Sequence, residues 1–407
     1  MTASEHLTIK GPEDILGFIP HSLGYWPADS LVAMTMQGKR LGATLRVDLP
    51  GPDGLRNPGE FARTVGDYLQ ADDAADGTLL MLFTNDGWMD SDDGYRPLLA
   101  ALEAALGCAG MPVRDAWYVG HTHWRNVYCT DPGCCPLPGR SVDEIRDSRL
   151  NAEMVFRGSS VGAPPADRLY GEGQGQRGRE ETSVVAAEQR WLAEFNSRRG
   201  SRQQFDAVLD TWERAKQAGQ GTDLTAALKA FLRASLCVPA WRDAVLVMTA
   251  AGRAAAARGA EEFGIFDDGS GLAAVRPPAE DMPQKGTEKG SSRRPDDGSA
   301  AGYGEVLLGL SPVVPDWAGM KRLEQVLLRL SCAGGAEAEA AALTARGWIE
   351  WCRGRGSFAD ALLNQALVEQ NGYRLAELLS ELVGRGTICG WAGRRETAWQ
   401  KFEPDAA

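Results

Sequence analysis

Long apolar runs are missing from this 407-residue sequence, and none approaches the roughly 18 residues that span a bilayer. The opening residues, Met1-Thr2-Ala3-Ser4-Glu5-His6, lack the basic-then-apolar order of a secretory leader. Both absences set the expectation of a cytoplasmic protein with no membrane partner. Positive charge is also in deficit: 43 Lys and Arg stand against 55 Asp and Glu, a formal charge of −12. That balance disfavours sequence-independent attraction to phosphate backbones, so nucleic acid is a poor default partner. The usual catalytic and nucleotide signatures are absent as well. There is no Walker loop, no Gly-x-Gly-x-x-Gly fingerprint, no His-Glu-x-x-His helix and no Gly-x-Ser-x-Gly elbow.

Cysteine is sparse and uneven. Of 8 cysteines, Cys108, Cys237, Cys332, Cys352 and Cys389 stand alone, which is no disulfide framework and predicts reduced thiols. The other three fall in one stretch, Tyr128-Cys129-Thr130-Asp131-Pro132-Gly133-Cys134-Cys135-Pro136-Leu137-Pro138-Gly139. Its prolines and glycines predict a rigid loop.

What the chain does contain is enough apolar content, 43%, to fill real cores over two or three domains. A helix over 12–20, stopped by Pro20, leads into a Gly/Pro turn over 21–29. Strands over 30–36 and 41–49 read as a hairpin, and 57–70 as a helix. The continuous apolar run 78–84 reads as a strand covered on both faces. An acidic turn, a helix over 97–106, two strands over 113–119 and 124–129, and a helix over 142–157 complete the first region. This order predicts an α/β domain, with a mixed, partly parallel sheet, over residues 1–158. A Gly/Gln-rich linker follows over 159–182, and helical periodicity resumes over 183–275. The charged, Pro/Gly-rich stretch 276–302 is expected to be disordered, and a second helical region occupies 303–390. Gly356-Ser357-Phe358-Ala359-Asp360-Ala361 matches the core of one tetratricopeptide unit without a 34-residue recurrence, so a single degenerate hairpin is expected there.

Three places offer chemistry. Cys129, Cys134 and Cys135, with His121 or His123, have the softness to bind zinc. Against this, adjacent cysteines rarely share one tetrahedral ion, and a tight structural loop or a thiol nucleophile are the competing readings. The acidic turn around Asp86, Asp90, Asp92 and Asp93 follows a strand and would suit Mg²⁺ or a cationic ligand, or is simply solvated. His21, with Asp29 and Asp48 nearby, has the makings of a base with an orienting carboxylate, or of hydrogen-bonded turns. Cys129 is the fourth candidate for such a catalytic set.

With these residues in view, the chain resembles the actinobacterial family catalogued as domain of unknown function 4192. The matching stretches are Pro12-Glu13-Asp14-Ile15-Leu16 through Pro20, Leu23-Gly24-Tyr25-Trp26-Pro27-x-Asp29-Ser30-Leu31-Val32, Arg46-Val47-Asp48-Leu49-Pro50, and Trp124-x3-Tyr128-Cys129-x-Asp131-Pro132-x-Cys134-Cys135-Pro136-x2-Gly139. The resemblance implies that the turn, Asp48 and the cysteine loop form one recurring surface, and that His121 and His123 lie outside the pattern. It brings no activity with it. Two readings therefore stand side by side: a regulatory or interaction module with a protein partner bound by its helices, and an enzyme or ligand binder whose site is 21–30, Asp48 and 129–139. A zinc-stabilised structural domain is a third.

Overall fold

The computed structural model describes residues 9–85, 94–168, 179–218, 223–267, 272–283, 302–331 and 335–401. They form two units, one of residues up to Pro164 together with Lys401, the other Pro165–Gln400.

The first unit is built on a six-stranded sheet. Its strands are β1 (Ser30–Gln37), β2 (Arg40–Asp48), β3 (Gly77–Phe83), β4 (Val113–Val119), β5 (His123–Asn126) and β6 (Arg140–Ser141), in the order β2-β1-β3-β4-β5-β6. Only β3 and β4 run parallel; every other neighbouring pair is antiparallel. The β3–β4 crossover requires a helix, supplied by α4 (Arg96–Cys108), numbered after α1 (Pro12–Leu23), α2 (Pro52–Arg56) and α3 (Gly59–Leu69). Central strand β3 is buried along its whole length, which is why it reads as an unbroken apolar run, and β1 beside it is buried over its first six residues. Leu31, Ala33, Leu80, Leu82 and Ala116 pack against α3 and α4. The opposite face, Val32, Met34, Leu79, Met81, Trp117 and Trp124, packs with Leu16 and Ile19 of α1.

Several expected boundaries move. α1 does not stop at Pro20 but runs to Leu23, where Gly24 turns left-handed at φ 91° and donates its N–H to the Pro20 carbonyl. Burial of Leu16, Ile19, Pro20 and His21 offsets the one hydrogen bond a late proline removes. The expected helix 142–157 is two, α5 (Asp143–Arg146) and α6 (Arg149–Phe156), because Ser148 leaves the helical conformation and its hydroxyl accepts the Asn151 N–H at 3.2 Å. The strand expected over 124–129 ends at Asn126, and α2 and β6 had no sequence signal strong enough to be read.

The second unit is helical: α7 (Arg179–Asn196), α8 (Arg202–Gln217), α9 (Ala226–Leu236), α10 (Pro239–Ala251), α11 (Arg253–Glu262), α12 (Tyr303–Leu307), α13 (Trp317–Leu330), α14 (Ala336–Cys352), α15 (Gly356–Glu369) and α16 (Arg374–Gly384). Its core is aromatic. The Phe195 ring meets Phe231 and Trp241 edge-on at 5.2 and 5.0 Å. α14 and α15 approach closely enough that a Cβ at Gly347 would stand 3.0 Å from Leu363. In the stretch expected to be disordered, Arg276 pairs with Asp210 at 3.3 Å and Ala279–Asp281 forms a short 3-10 turn. Residues 284–301 of that stretch, and 169–178 of the expected linker, lie outside the described residues. Among the described residues no single helix is long and apolar enough to cross a membrane.

Candidate functional site

The cysteine loop leaves the sheet at Asn126, and that side chain organises its start. The Asn126 carbonyl oxygen accepts the N–H groups of Tyr128 and Cys129 at 2.9 and 3.0 Å, while its amide donates to Asp115 on β4 at 2.6 Å. Tyr128 is tied down at its far end, donating to Glu103 of α4 at 2.6 Å. Burial and that carboxylate push its phenol well above the usual range. Asp131 then makes a tight turn. Its carboxylate accepts the Gly133 N–H at 2.8 Å, and its carbonyl accepts those of Cys134 and Cys135 at 3.2 and 2.8 Å. Gly139 brings the chain back onto the sheet beside Trp124. At its φ of 151° a Cβ would lie 2.6 Å from the Trp124 carbonyl oxygen, so only glycine fits.

The result is a convergence of thiols: the Sγ atoms of Cys129, Cys134 and Cys135 all lie within 4.8 Å of one another, and none is in a disulfide. Their environments differ. Hydrogen bonding to the Asp131 main chain and to Cys135 holds the Cys129 thiol below its usual range, whereas burial pushes Cys135 up to about 11. Because the thiolate is the nucleophile, alkylation by iodoacetamide at neutral pH is expected to modify Cys129 before Cys135. Peptide mass spectrometry over time checks the order, and Cys135 reacting first would contradict it.

Beside the thiols opens a groove of about 660 Å³ on the α1 face of the sheet. Its apolar walls are Ile15 of α1, Met36 and Leu79 of the sheet, and the indoles of Trp117 and Trp124. Arg140 lies over the Trp124 ring at 4.7 Å and Arg114 joins the lining, so the groove has cationic edges. Both arginines already hold partners, Glu144 and Asp76 respectively. Sequence reasoning missed this groove. Period-two alternation places Leu79 and Trp117 on one face, but no local pattern tells that α1 leaves part of that face uncovered.

The other expected site residues lie elsewhere. His121 exchanges hydrogen bonds with Asn85 at the β4–β5 turn, and His123 bonds Thr122 at 2.9 Å. They sit at the end of β5 opposite to Asn126, about 10 Å of strand away from where the cysteine loop begins. Neither joins the thiols, which corrects the expected His/Cys ligand set. His21 is not in a turn but buried in α1, its ring nitrogens 2.9 Å from Ser159 Oγ and 2.7 Å from Asn151 Oδ1. With both nitrogens engaged it ties α1 to α6 and has none left for a substrate. Asp29, at φ 45°, accepts the Leu49 N–H on its carbonyl, and Asp48 pairs with Arg46 at 2.6 Å with its side chain mostly exposed. Both mark the β1–β2 end where Ser30 faces Phe83, whereas the groove lies at the Met36 and Leu79 end. The single surface of turn, Asp48 and cysteine loop is therefore not formed: its parts stand at opposite ends of the sheet. The acidic turn falls at 86–93, outside the described residues.

The family described as domain of unknown function (DUF4192) matches the chain over residues 12–260 and 314–387. No curated protein and no solved structure matches it.

Proposed function

The chain belongs to the DUF4192 family, and we propose that its α/β unit is a small-ligand-binding module whose site is the groove beside the cysteine loop. One observation carries this reading: a concavity of about 660 Å³, lined by aliphatic side chains over two buried tryptophans, with guanidinium groups at its edge. Binding sites for small organic molecules have this make-up, a mostly apolar wall that supplies affinity and a few polar groups that fix orientation. The ligand it suits has an apolar body that lies against Ile15 and Met36, above the buried Trp117 and Trp124, and an anionic end that meets the arginine edge. Binding without turnover is favoured because, of the candidate catalytic groups, only Cys129 lines the groove, with no base or carboxylate of that set beside it. His21 is engaged on both nitrogens, and Asp29 and Asp48 stand at the far end of the sheet.

Anilinonaphthalene sulfonate has the required apolar body and single negative charge, and tests the reading directly. The wild-type protein is expected to bind one equivalent with energy transfer from the groove tryptophans. Met36→Trp, which fills the groove from its sheet side, should weaken binding by ~10-fold or more, about 1.4 kcal/mol, while the thermal midpoint stays near wild type. Equal affinity in the two proteins, both folded, would overturn the proposal.

A further inference from the structure

We propose that Cys129, Cys134 and Cys135 form a zinc site with three thiolate ligands and an exchangeable fourth position at the rim of the groove. Tetrahedral zinc with Zn–S bonds of about 2.3 Å places its sulfurs about 3.8 Å apart. The three Sγ atoms are already within 4.8 Å of one another, so a contraction of about 1 Å completes the triangle.

The objection that adjacent cysteines seldom share an ion is met by the backbone. Cys134 and Cys135 donate to the carbonyl of Asp131 at spacings of three and four residues, as in one helical turn. Consecutive side chains on such a turn diverge by about 100°, not the near 180° of a strand, so both sulfurs reach a common point. The turn is also set before any ion arrives. Asn126 fixes Cys129, and Asp131 fixes Gly133 and both following residues, which lowers the entropy lost on binding. Arg125 reaches the Cys129 carbonyl, and Arg140 lies in the same groove lining as the three cysteines. Arg125 thus sets positive charge beside the cluster to offset the net negative charge of three thiolates on a divalent ion, whereas Arg140 is already paired with Glu144.

Among the described residues no fourth His, Cys, Asp or Glu ligand atom joins the cluster. Closed, four-ligand zinc sites are structural, whereas three protein ligands leave a position for water or an incoming donor. Here that donor comes from solvent or from whatever occupies the groove. Loading forms three Zn–S bonds as three thiol protons leave to buffer, so affinity should rise with pH.

The test uses the full chain, purified without a tag, reduced and stripped with a chelator. Zinc titrated against a chromophoric chelator should bind at one equivalent, and cobalt in its place should give the strong visible bands of a tetrahedral thiolate site. Cys129→Ser and Cys134→Ser, both away from the core, should each weaken zinc by at least ~10-fold. A second readout needs no variant: in the wild type, zinc should protect these three cysteines from alkylation and leave exposed Cys108 reactive. Zinc binding by the wild type no tighter than by the Cys129→Ser/Cys134→Ser double variant, or equal alkylation of the three cysteines with and without zinc, would overturn the assignment.

Discussion

Replacing Arg233 by alanine is expected to destabilise the helical unit by about 3–5 kcal/mol, the cost of breaking a buried ion cluster by removing one member. Arg233 on α9 is fully buried. Its Nε donates to Glu188 of α7 at 2.7 Å, and its guanidinium also meets Glu339 of α14 at 3.5 Å and the Leu330 carbonyl. Three helices and the end of a fourth thus converge on one cation, and its loss leaves two carboxylates in a low-dielectric core. Burial already raises the Glu188 carboxyl above its usual range, opposed by Arg233. A raised folded-state value means that the folded chain holds the proton more tightly than the unfolded chain. The associated stability is therefore complete below the unfolded carboxylate value of about 4.3 and is lost as pH rises through the folded one. Without Arg233 the carboxyl is driven further up, so the deficit of the alanine variant should be smaller at pH 5 than at pH 7. The matched control is Arg233→Met with Glu188→Met and Glu339→Met, which removes all three charges at similar volume. It is expected to be neutral or more stable than wild type. Hydrogen-exchange protection of the α9 amides reads each variant without assuming that the two units unfold together. A triple variant as unstable as the single one would show that packing, not charge, dominates here.

Trp124→Ala is expected to cost the α/β unit about 3–5 kcal/mol, in the range for emptying a buried aromatic site. Trp124 is 1% exposed, lies in register with Val119 on one side and Arg140 on the other, and fills the space between the sheet and Ile145 of α5. Among the described residues its indole N–H has no hydrogen-bond partner. This distinguishes two substitutions. Phenylalanine keeps most of the apolar surface and deletes an unpaired buried donor, so Trp124→Phe should cost under about 1.5 kcal/mol. Amide exchange in β4 and β5 measures both, and equal losses in the two variants would assign a role to the indole nitrogen that its surroundings do not show. Because Trp124 also walls the groove, the alanine variant should lose anilinonaphthalene sulfonate binding even under conditions where it stays folded.

The fold was legible in the sequence wherever periodicity met a chemically marked boundary. The unbroken run of β3, the hairpin of β1 and β2, and most helices of the second unit fall where apolar spacing places them, whereas α11 (Arg253–Glu262) is not among the helices that spacing predicts. Misreadings came where two local signals competed. Pro20 and Gly24 both mark a helix end, and the glycine prevailed because burial of His21 and its neighbours holds the last turn together. That one turn moved His21 from the expected Gly/Pro turn into a buried helix, and with it the expected catalytic base.

From the sequence alone follow the two-part organisation into an α/β region and helices, the turn-rich make-up of the cysteine loop and the membership of its cysteines in one short segment. These depend on neighbours within a few residues, where propensity, periodicity and turn chemistry act. Only the tertiary structure decided which side chains meet. It brought Cys129, Cys134 and Cys135 within 4.8 Å, kept His121 and His123 at the other end of β5, and left Asp29 and Asp48 at the Ser30 end of the hairpin, away from the Met36 end where the groove lies. The reason is geometric. Strand order and register set distances between segments tens of residues apart, and spacing within one segment holds no record of them.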